Sequence, residues 1–336
     1  GLTMNRPTPS LPRLDCGESG STLRFLIPIA LAVAGGGVFT GQGRLMERPQ
    51  EPYFDLFDAK GISYTLEDGV LTVQGQLPAG DYPLPGNVSS QFVTGLLYAL
   101  PLVEGTSTIT LTSPLESEDY VAMTRKALHQ AGIALDGYTV PGSQHYAPIR
   151  GSVEADWSQA GFFYAGLGLG NDLDIQGLDP HSPQGDRRIV SFYEQLTGAG
   201  QTVTLDVSQC PDLVPPLAAL AAGLEGKTTH IVGAARLRIK ESDRLATTSQ
   251  VLNELGAQVE ELSEGLTIRG IAQFAGGVTV PCHNDHRIAM MAAMAATRCE
   301  APITLTGAQC VAKSFPDFWE VYEKLGGTIV KSEEIL

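Results

Sequence analysis

The sequence lacks features that would indicate a membrane or nucleic-acid-binding protein. No apolar run reaches the roughly 18 residues of a membrane span. Basic residues are few: 22 Lys and Arg stand against 37 Asp and Glu, for a net charge of −15. A chain this acidic is not expected to bind phosphate backbones or anionic membrane surfaces broadly. Any anionic ligand would therefore need a local cluster of cations.

Cofactor and metal motifs are also missing. The chain has no P-loop, dinucleotide fingerprint or nucleophile elbow, so no cofactor is expected. No second His or Cys follows His286 at ligand spacing, which argues against a metal site, and Cys310 is interpreted as a buried structural thiol. The five cysteines are odd in number and lack paired spacing, and residues 1–5 lack a signal pattern. These features favour a reducing, cytoplasmic location.

The length of 336 residues and the 43% hydrophobic content predict roughly two globular domains. We place the boundary near residues 148–151, which gives an N-terminal lobe over residues 1–149 and a C-terminal lobe over residues 150–336. The most apolar stretch, residues 25–38, predicts a buried helix.

A recurring pattern runs through both halves. Apolar residues followed by Gly, which is typical of a helix C-terminus, recur at glycines 61, 132, 198, 256 and 326, where Gly suits a left-handed cap. Short strands are predicted at residues 108–111, 173–175, 229–232 and 303–305. The spacing predicts about 65 residues per βαβαβ-like unit, with five units visible.

Polar turns open the apolar helices of these units. Such turns occur at residues 16–22, 85–91, 155–158, 206–212 and 283–287. A helix N-terminus presents free N–H groups that suit anions, and several could converge on one ligand. The alternative is ordinary N-capping by Ser, Asp and Asn.

The scarce cations fall in or beside these turns. Lys240 and Arg244 are spaced i,i+4, which predicts one helical face carrying both charges with Glu241 adjacent. A solvated helix with surface ion pairs is the alternative interpretation of this segment.

Six motifs, in this order along the chain, resemble those of the EPSP synthase family: CGESGSTLR at 16–24, ERP at 47–49, SSQ at 89–91, KESDR at 240–244, NDHR at 284–287 and AKSFPD at 312–317. The resemblance implies an α/β (α+β), two-lobed enolpyruvyl transferase fold, an inside-out α/β barrel of βαβαββ units, with five of six units visible. It also implies transfer of the enolpyruvyl group of phosphoenolpyruvate to the 5-hydroxyl of shikimate-3-phosphate without a cofactor.

The resemblance further implies roles for individual residues. Shikimate-3-phosphate would contact Ser89, Ser90, Gln91, Ser117, Tyr120, Asp212 and Lys240. Phosphoenolpyruvate would contact Gly20, Arg48, Gln91, Arg244, Arg287 and Lys313. The catalytic candidates are Asp212 as the base for the 5-hydroxyl, Glu241 as the proton carrier to the methylene carbon, Lys240 and His286. Such a reaction needs acids and cations around one carbon.

Some positions depart from the family pattern. Residues 18–21 read ESGS where many members read NAGT, and Arg236 stands where Asn is frequent. The family's opening Lys-Ser motif and a following Arg are expected before residue 1, so the chain is expected to lack the first of the six units.

Two alternatives are open at this point. One is a catalytically impaired chain that binds anions without turnover. The other is the related enolpyruvyl transferase acting on UDP-N-acetylglucosamine, although the SSQ and NDHR motifs favour the shikimate enzyme. A monomer that binds only small molecules is expected.

Overall fold

The computed structural model describes residues 10–331, which divide into two compact units. One unit ends at Gly151 and the other begins at Ser152, and each has its own hydrophobic core. The boundary predicted from the sequence lies two residues earlier.

The first unit alternates strands and helices. Its strands are β1 (Arg13–Asp15), β2 (Gly36–Thr40), β3 (Ser63–Glu67), β4 (Val70–Gln74), β5 (Asp81–Leu84), β6 (Ser107–Leu111) and β7 (Thr139–Val140), and its α-helices are α1 (Gly20–Ala34), α2 (Glu51–Lys60), α3 (Ser90–Ala99) and α4 (Glu118–Gln130). One sheet has the order β1-β2-β4-β3, with β1 and β2 parallel and the other pairs antiparallel. The second sheet has the order β5-β6-β7.

The second unit contains the remaining elements. Its strands are β8 (Thr202–Asp206), β9 (Thr228–Val232), β10 (Gln258–Leu262), β11 (Gly265–Arg269), β12 (Phe274–Gly276), β13 (Thr279–Pro281), β14 (Cys299–Ala301) and β15 (Thr304–Thr306). Its α-helices are α5 (Trp157–Gly168), α6 (Ile189–Thr197), α7 (Val214–Ala222), α8 (Arg244–Glu254), α9 (His286–Ala296) and α10 (Phe318–Lys324). Short 3-10 turns at Pro211–Leu213, Ala235–Ile239 and Ala308–Lys313 carry or adjoin candidate site residues.

The predicted repeat is clearest in the two four-stranded sheets. The order β8-β9-β11-β10 in the second unit reproduces the order β1-β2-β4-β3 in the first, with the same pattern of one parallel and two antiparallel pairs. Each sheet comes from a β-α-β-α-β-β run, β1 to β4 and β8 to β11. The βαβαββ unit is therefore confirmed for these two segments.

Helix starts follow the polar turns of the sequence. Ser19, Ser89, Asp156 and Asp285 are the N-caps of α1, α3, α5 and α9, and each side chain accepts a backbone N–H from the first turn. Since an N-cap satisfies a donor that the helix leaves open, these caps fix where each helix begins.

Three local predictions are wrong. The helix expected over residues 25–38 ends at Ala34, because Gly35 adopts a left-handed cap and β2 starts at Gly36. The left-handed cap predicted at Gly198 does not form: Gly198 ends α6 with φ −66° and ψ −179°, which is an extended conformation. Residues 173–175 form no strand: within residues 10–331 they belong to none of the sheets, and a strand needs a partner for its backbone groups.

Two features are absent from residues 10–331. No helix there is long and apolar enough to cross a bilayer. No group of three or more His, Cys, Asp or Glu side chains is placed to hold a metal ion within residues 10–331.

Candidate active site

In the first unit, Arg24 and Gln91 join the beginnings of α1 and α3. Arg24 is 2% exposed, and its Nη1 donates to Gln91 Oε1 at 2.8 Å while its Nη2 donates to the Pro49 carbonyl at 2.7 Å. Gln91 Nε2 donates to Ser21 Oγ at 2.9 Å. The Gln91 amide is therefore held in one orientation, and the segment ending at Pro49 is tied to α1.

Gly20 and Arg48 lie in direct contact at the start of α1. A Cβ placed on Gly20 would lie 2.9 Å from Arg48 Nη1 and 3.0 Å from its Cζ. Real Cβ atoms do not approach that closely, so the absence of a side chain at Gly20 lets the buried guanidinium lie against the helix N-terminus. The Arg48 guanidinium therefore lies beside the free backbone N–H groups at the start of α1.

The serines predicted to hold a phosphate lie at the starts of α3 and α4. Ser89 Oγ accepts from Gln91 N at 3.3 Å, and Ser90 begins α3. Ser117 is buried, is the N-cap of α4 and has φ 55°, and Tyr120 lies in the first turn of that helix. The loops that precede α3 and α4 are joined, because Glu116 N donates to the Gly86 carbonyl at 3.0 Å.

In the second unit, three cations surround Asp212. Its Oδ1 lies 2.9 Å from Arg244 Nη1 and 3.8 Å from Lys240 Nζ, and its Oδ2 lies 3.1 Å from Arg287 Nη2. Burial alone would raise the pKa of Asp212, but Arg287, Lys240 and Arg244 lower it well below its usual range. The carboxylate is therefore ionised and held from three sides.

Arg244 is the centre of this network. Its side chain is 1% exposed and contacts three carboxylates: Asp212, Glu241 (Nη2 to Oε2, 2.6 Å) and Asp285 (Nε to Oδ2, 2.8 Å). Burial would lower the pKa of the guanidinium, but these carboxylates raise it above its ordinary value. We name this group of connected side chains the C-terminal cluster: Asp212, Lys240, Glu241, Arg244, Asp285 and Arg287.

The predicted helical face carrying Lys240 and Arg244 is wrong. Helix α8 begins at Arg244 behind its N-cap Asp243, whose Oδ1 accepts from Ala246 N at 3.2 Å. Lys240 lies before the helix in extended conformation, after the 3-10 turn Ala235–Ile239. The two cations nevertheless meet, because both reach Asp212 Oδ1.

The residues that begin α9 complete the surroundings of the cluster. Arg287 Nη2 also donates to Ser158 Oγ at 3.1 Å, so α5 and α9 are joined beside Asp212. Lys313 Nζ donates to the Asn284 carbonyl at 2.6 Å, which places it at the loop before α9. His286 is buried, and its Nδ1 has no hydrogen-bond partner among residues 10–331. Burial, then Arg287 and Arg244, lower the pKa of His286 to about 4.

The structure thus joins most predicted site residues within each unit. Five predicted residues belong to the C-terminal cluster, and Lys313 and His286 adjoin it. Gly20 contacts Arg48, while Gln91 bonds to the N-cap Ser89. Arg24 and Asp285 lie inside the family motifs, but the sequence assigned no role to them or to Ser158. For Asp285 a signal existed, since an Asp directly before an apolar helix is a typical N-cap.

Comparisons with known proteins identify the family of the chain. A family model described as EPSP synthase (3-phosphoshikimate 1-carboxyvinyltransferase) matches residues 3–322. The chain belongs to the EPSP synthase family. A 3-phosphoshikimate 1-carboxyvinyltransferase of Clostridium kluyveri is 45% identical over 95% of this chain and 79% of that protein. The same enzyme of Clostridium acetobutylicum is 44% identical over 94% of this chain and 78% of that protein.

Solved EPSP synthase structures share the fold. The EPSP synthase of Acinetobacter baumannii has a TM-score of 0.75 and 27% identity, over 96% of this chain and 80% of that chain. The enolpyruvyl transferase NikO of Streptomyces tendae has a TM-score of 0.70 at 18% identity, over 93% of this chain and 77% of that chain, which is a likeness of fold. The predicted mixed α/β enolpyruvyl transferase fold is confirmed.

Proposed function

We propose that this chain transfers the enolpyruvyl group of phosphoenolpyruvate to the 5-hydroxyl of shikimate-3-phosphate and releases phosphate. The observation that carries the proposal is the C-terminal cluster, in which Asp212 lies within 3.8 Å of Lys240, Arg244 and Arg287. The 3-phosphoshikimate 1-carboxyvinyltransferases at about 40% identity and above support the choice of substrates. A cytoplasmic location and a monomeric state are part of the same proposal.

Phosphoenolpyruvate would displace the carboxylates that form ion pairs with Arg244 in this structure. Asp212 and Glu241 contact the Nη atoms of Arg244, and their side chains are 18% and 20% exposed. A phosphate or carboxylate group can form the same charge-assisted, bidentate contacts with a guanidinium. Arg287 and Lys313 would bind the same substrate, and so would Arg48, Gln91 and the N-terminus beside Gly20.

This exchange would also activate Asp212. While three cations hold it, the carboxylate is a weak base, since its pKa is far below neutral. Once Arg244 and Arg287 turn to the substrate anion, Asp212 would regain basicity and accept the 5-hydroxyl proton. The hydroxyl oxygen would bond to C2 of phosphoenolpyruvate while Glu241 protonates C3. Glu241 would then take a proton back from the resulting methyl group as phosphate leaves, which regenerates the double bond, and the departing phosphate would accept the proton held by Asp212.

The remaining polar groups would bind shikimate-3-phosphate. Ser89, Ser90 and Ser117 present hydroxyls at the starts of α3 and α4, where backbone N–H groups also favour a phosphate. The family resemblance also assigns Lys240, Gln91 and Tyr120 to this substrate. His286 is neutral at pH 7 because its pKa is about 4, so it would contribute a hydrogen bond and no charge.

The test is phosphate release from phosphoenolpyruvate with each acceptor in turn. We expect turnover with shikimate-3-phosphate and none with UDP-N-acetylglucosamine. Because this chain aligns with 79% of the Clostridium kluyveri protein, the assay would be run on this chain alone and on the chain joined to the remaining segment of that relative. Asp212→Asn should lower kcat by at least about a hundredfold, whereas Asp172→Asn, at an exposed site in the same unit, should not.

Two outcomes would favour the alternatives. Turnover with the nucleotide sugar in place of shikimate-3-phosphate would contradict the substrate assignment. Tight binding of shikimate-3-phosphate without phosphate release in either form would indicate an impaired chain that only binds anions.

A further inference from the structure

One carboxylate of the C-terminal cluster is sealed from solvent. Asp285 is 0% exposed, whereas the side chains of Asp212 and Glu241 are 18% and 20% exposed. All three contact Arg244, but only Asp285 contacts its Nε. A fully buried carboxylate cannot exchange with an incoming anion as readily as a partly exposed one.

The hydrogen bonds of Asp285 join two helix starts that are distant in sequence. Its Oδ2 accepts from Arg244 Nε at 2.8 Å and from Ser242 Oγ at 2.9 Å. Its Oδ1 accepts from Arg287 N at 3.0 Å, which caps α9, and from Arg244 Nη2 at 3.3 Å. The side chain of one residue therefore fixes the guanidinium at the start of α8 and the backbone from which the Arg287 side chain extends.

The chemistry of the guanidinium explains why this matters. Arginine presents five N–H donors in a rigid planar fork, so holding the Nε edge determines where the two Nη groups point. Asp285 holds that edge from the buried side. Nη1 donates to Asp212, and Nη2 donates to Glu241 at 2.6 Å and more weakly to Asp285 at 3.3 Å. Asp212 and Glu241 are the more exposed carboxylates, which the proposed exchange would displace.

We propose that Asp285 is a positioning residue, which orients Arg244 and the start of α9 so that Arg244 and Arg287 meet the same substrate anion without Asp285 touching it. This inference rests on the proposed function of the cluster in binding phosphoenolpyruvate. It assigns Asp285 a role in the affinity for that substrate, beyond its role as a helix cap.

The test compares Asp285→Asn with the unaltered chain. Asn is an equally good N-cap and keeps one acceptor oxygen, so α9 should still form. It removes the charge and at least one bond to Arg244, and loss of one charge-assisted hydrogen bond corresponds to at least about tenfold in affinity. We expect the KM for phosphoenolpyruvate to rise by about tenfold or more and the KM for shikimate-3-phosphate to change by less than about threefold.

A double-mutant cycle with Arg244→Lys separates positioning from a general structural effect. Lys has no Nε–H edge for Asp285 to hold, so Asp285→Asn should have little further effect on the phosphoenolpyruvate KM in that background. Fully additive effects would overturn the proposal. A lower melting temperature with an unchanged phosphoenolpyruvate KM would overturn it too, because that is the result of a purely structural role.

A spectroscopic measurement tests the geometry without turnover. The Nε–H resonance of Arg244, assigned by its absence in Arg244→Lys, should exchange slowly with solvent in the unaltered chain and become fast-exchanging or shifted in Asp285→Asn. Ser242→Ala, which leaves the Asp285–Arg244 pair intact, should retain the slow exchange. Slow exchange that persists in Asp285→Asn would contradict the proposal. If the unaltered chain shows this signal but does not use phosphoenolpyruvate, the proposed function fails while the geometry of the pair stands.

Discussion

The contact between Gly20 and Arg48 sets how close a ligand can come to the start of α1. In Gly20→Ala, the new Cβ would lie 2.9 Å from Arg48 Nη1, so the guanidinium must move by several tenths of an ångström. Because small displacements of binding groups can cost up to a hundredfold, we expect the KM for phosphoenolpyruvate to rise about ten- to a hundredfold. Gly200→Ala, where nothing lies closer than 3.8 Å to the new Cβ, is the control. An unchanged KM in Gly20→Ala would argue against Arg48 as a ligand of this substrate.

The buried imidazole of His286 predicts a loss of stability in acid. Its pKa is lowered to about 4 in the folded chain, by burial first and then by Arg287 and Arg244, against about 6.5 in the unfolded chain. Between pH 4 and pH 6.5 the unfolded state binds more protons than the folded state, so the free energy of unfolding falls as the pH is lowered. The contribution of the neutral ring is fully present above pH 6.5 and is lost as the pH falls toward 4. The full difference corresponds to about 3 kcal/mol.

The measurement is urea unfolding of the unaltered chain and of His286→Gln at several pH values. Both tryptophans, Trp157 and Trp319, lie in the second unit, so their fluorescence reports the unit that contains His286. We expect the stability difference between the two proteins to shift in favour of His286→Gln as the pH is lowered from 7 to 4. Parallel pH profiles would contradict the lowered pKa.

At the scale of elements, the close crossing of α1 and α3 depends on Gly95. A Cβ there would lie 2.2 Å from Tyr53 Oη and 2.4 Å from the Arg24 carbonyl, the same two groups that share a 2.8 Å hydrogen bond. Gly95→Ala must therefore separate the helices, at a cost of about 1–3 kcal/mol. Because Arg24 also holds Gln91, the substitution should weaken substrate binding as well as stability.

Far-UV circular dichroism during urea unfolding would measure the loss of stability in Gly95→Ala. A useful comparison is Gly200→Ala, in a segment where the added methyl group has room. Unchanged unfolding in Gly95→Ala would mean that the helices can move apart at no cost, which the close packing argues against.

Local signals in the sequence predicted the helix starts that depend only on neighbouring residues. The Ser and Asp residues before α1, α3, α5 and α9 marked the helix starts because an N-cap depends on a few neighbouring residues. The i,i+4 spacing of Lys240 and Arg244 failed because Asp243 caps a helix that begins only at Arg244. The contact of Asp285 with Arg244 was not predictable, since the two residues lie 41 positions apart in sequence.

At the scale of the whole molecule, the repeat in the sequence corresponds to two sheets of identical strand order, one in each unit. The apolar periodicity and the glycine caps predicted this repetition, because each βαβαββ segment must bury its own helices against its own sheet. The net charge of −15 predicted that cations would be concentrated locally, and four lie in or beside the C-terminal cluster.

The separate cores predict that a cavity in one unit affects mainly that unit. Leu97 and Leu217 are both fully buried, the first in the core of the first unit and the second in the core of the second. Each Leu→Ala substitution should cost about 2–5 kcal/mol. Leu217→Ala should move the tryptophan fluorescence transition, because Trp157 belongs to the same core. Leu97→Ala should move the far-UV circular dichroism transition and leave the tryptophan signal nearly in place. If both substitutions shift both signals equally, the two units unfold as one cooperative block despite their separate cores.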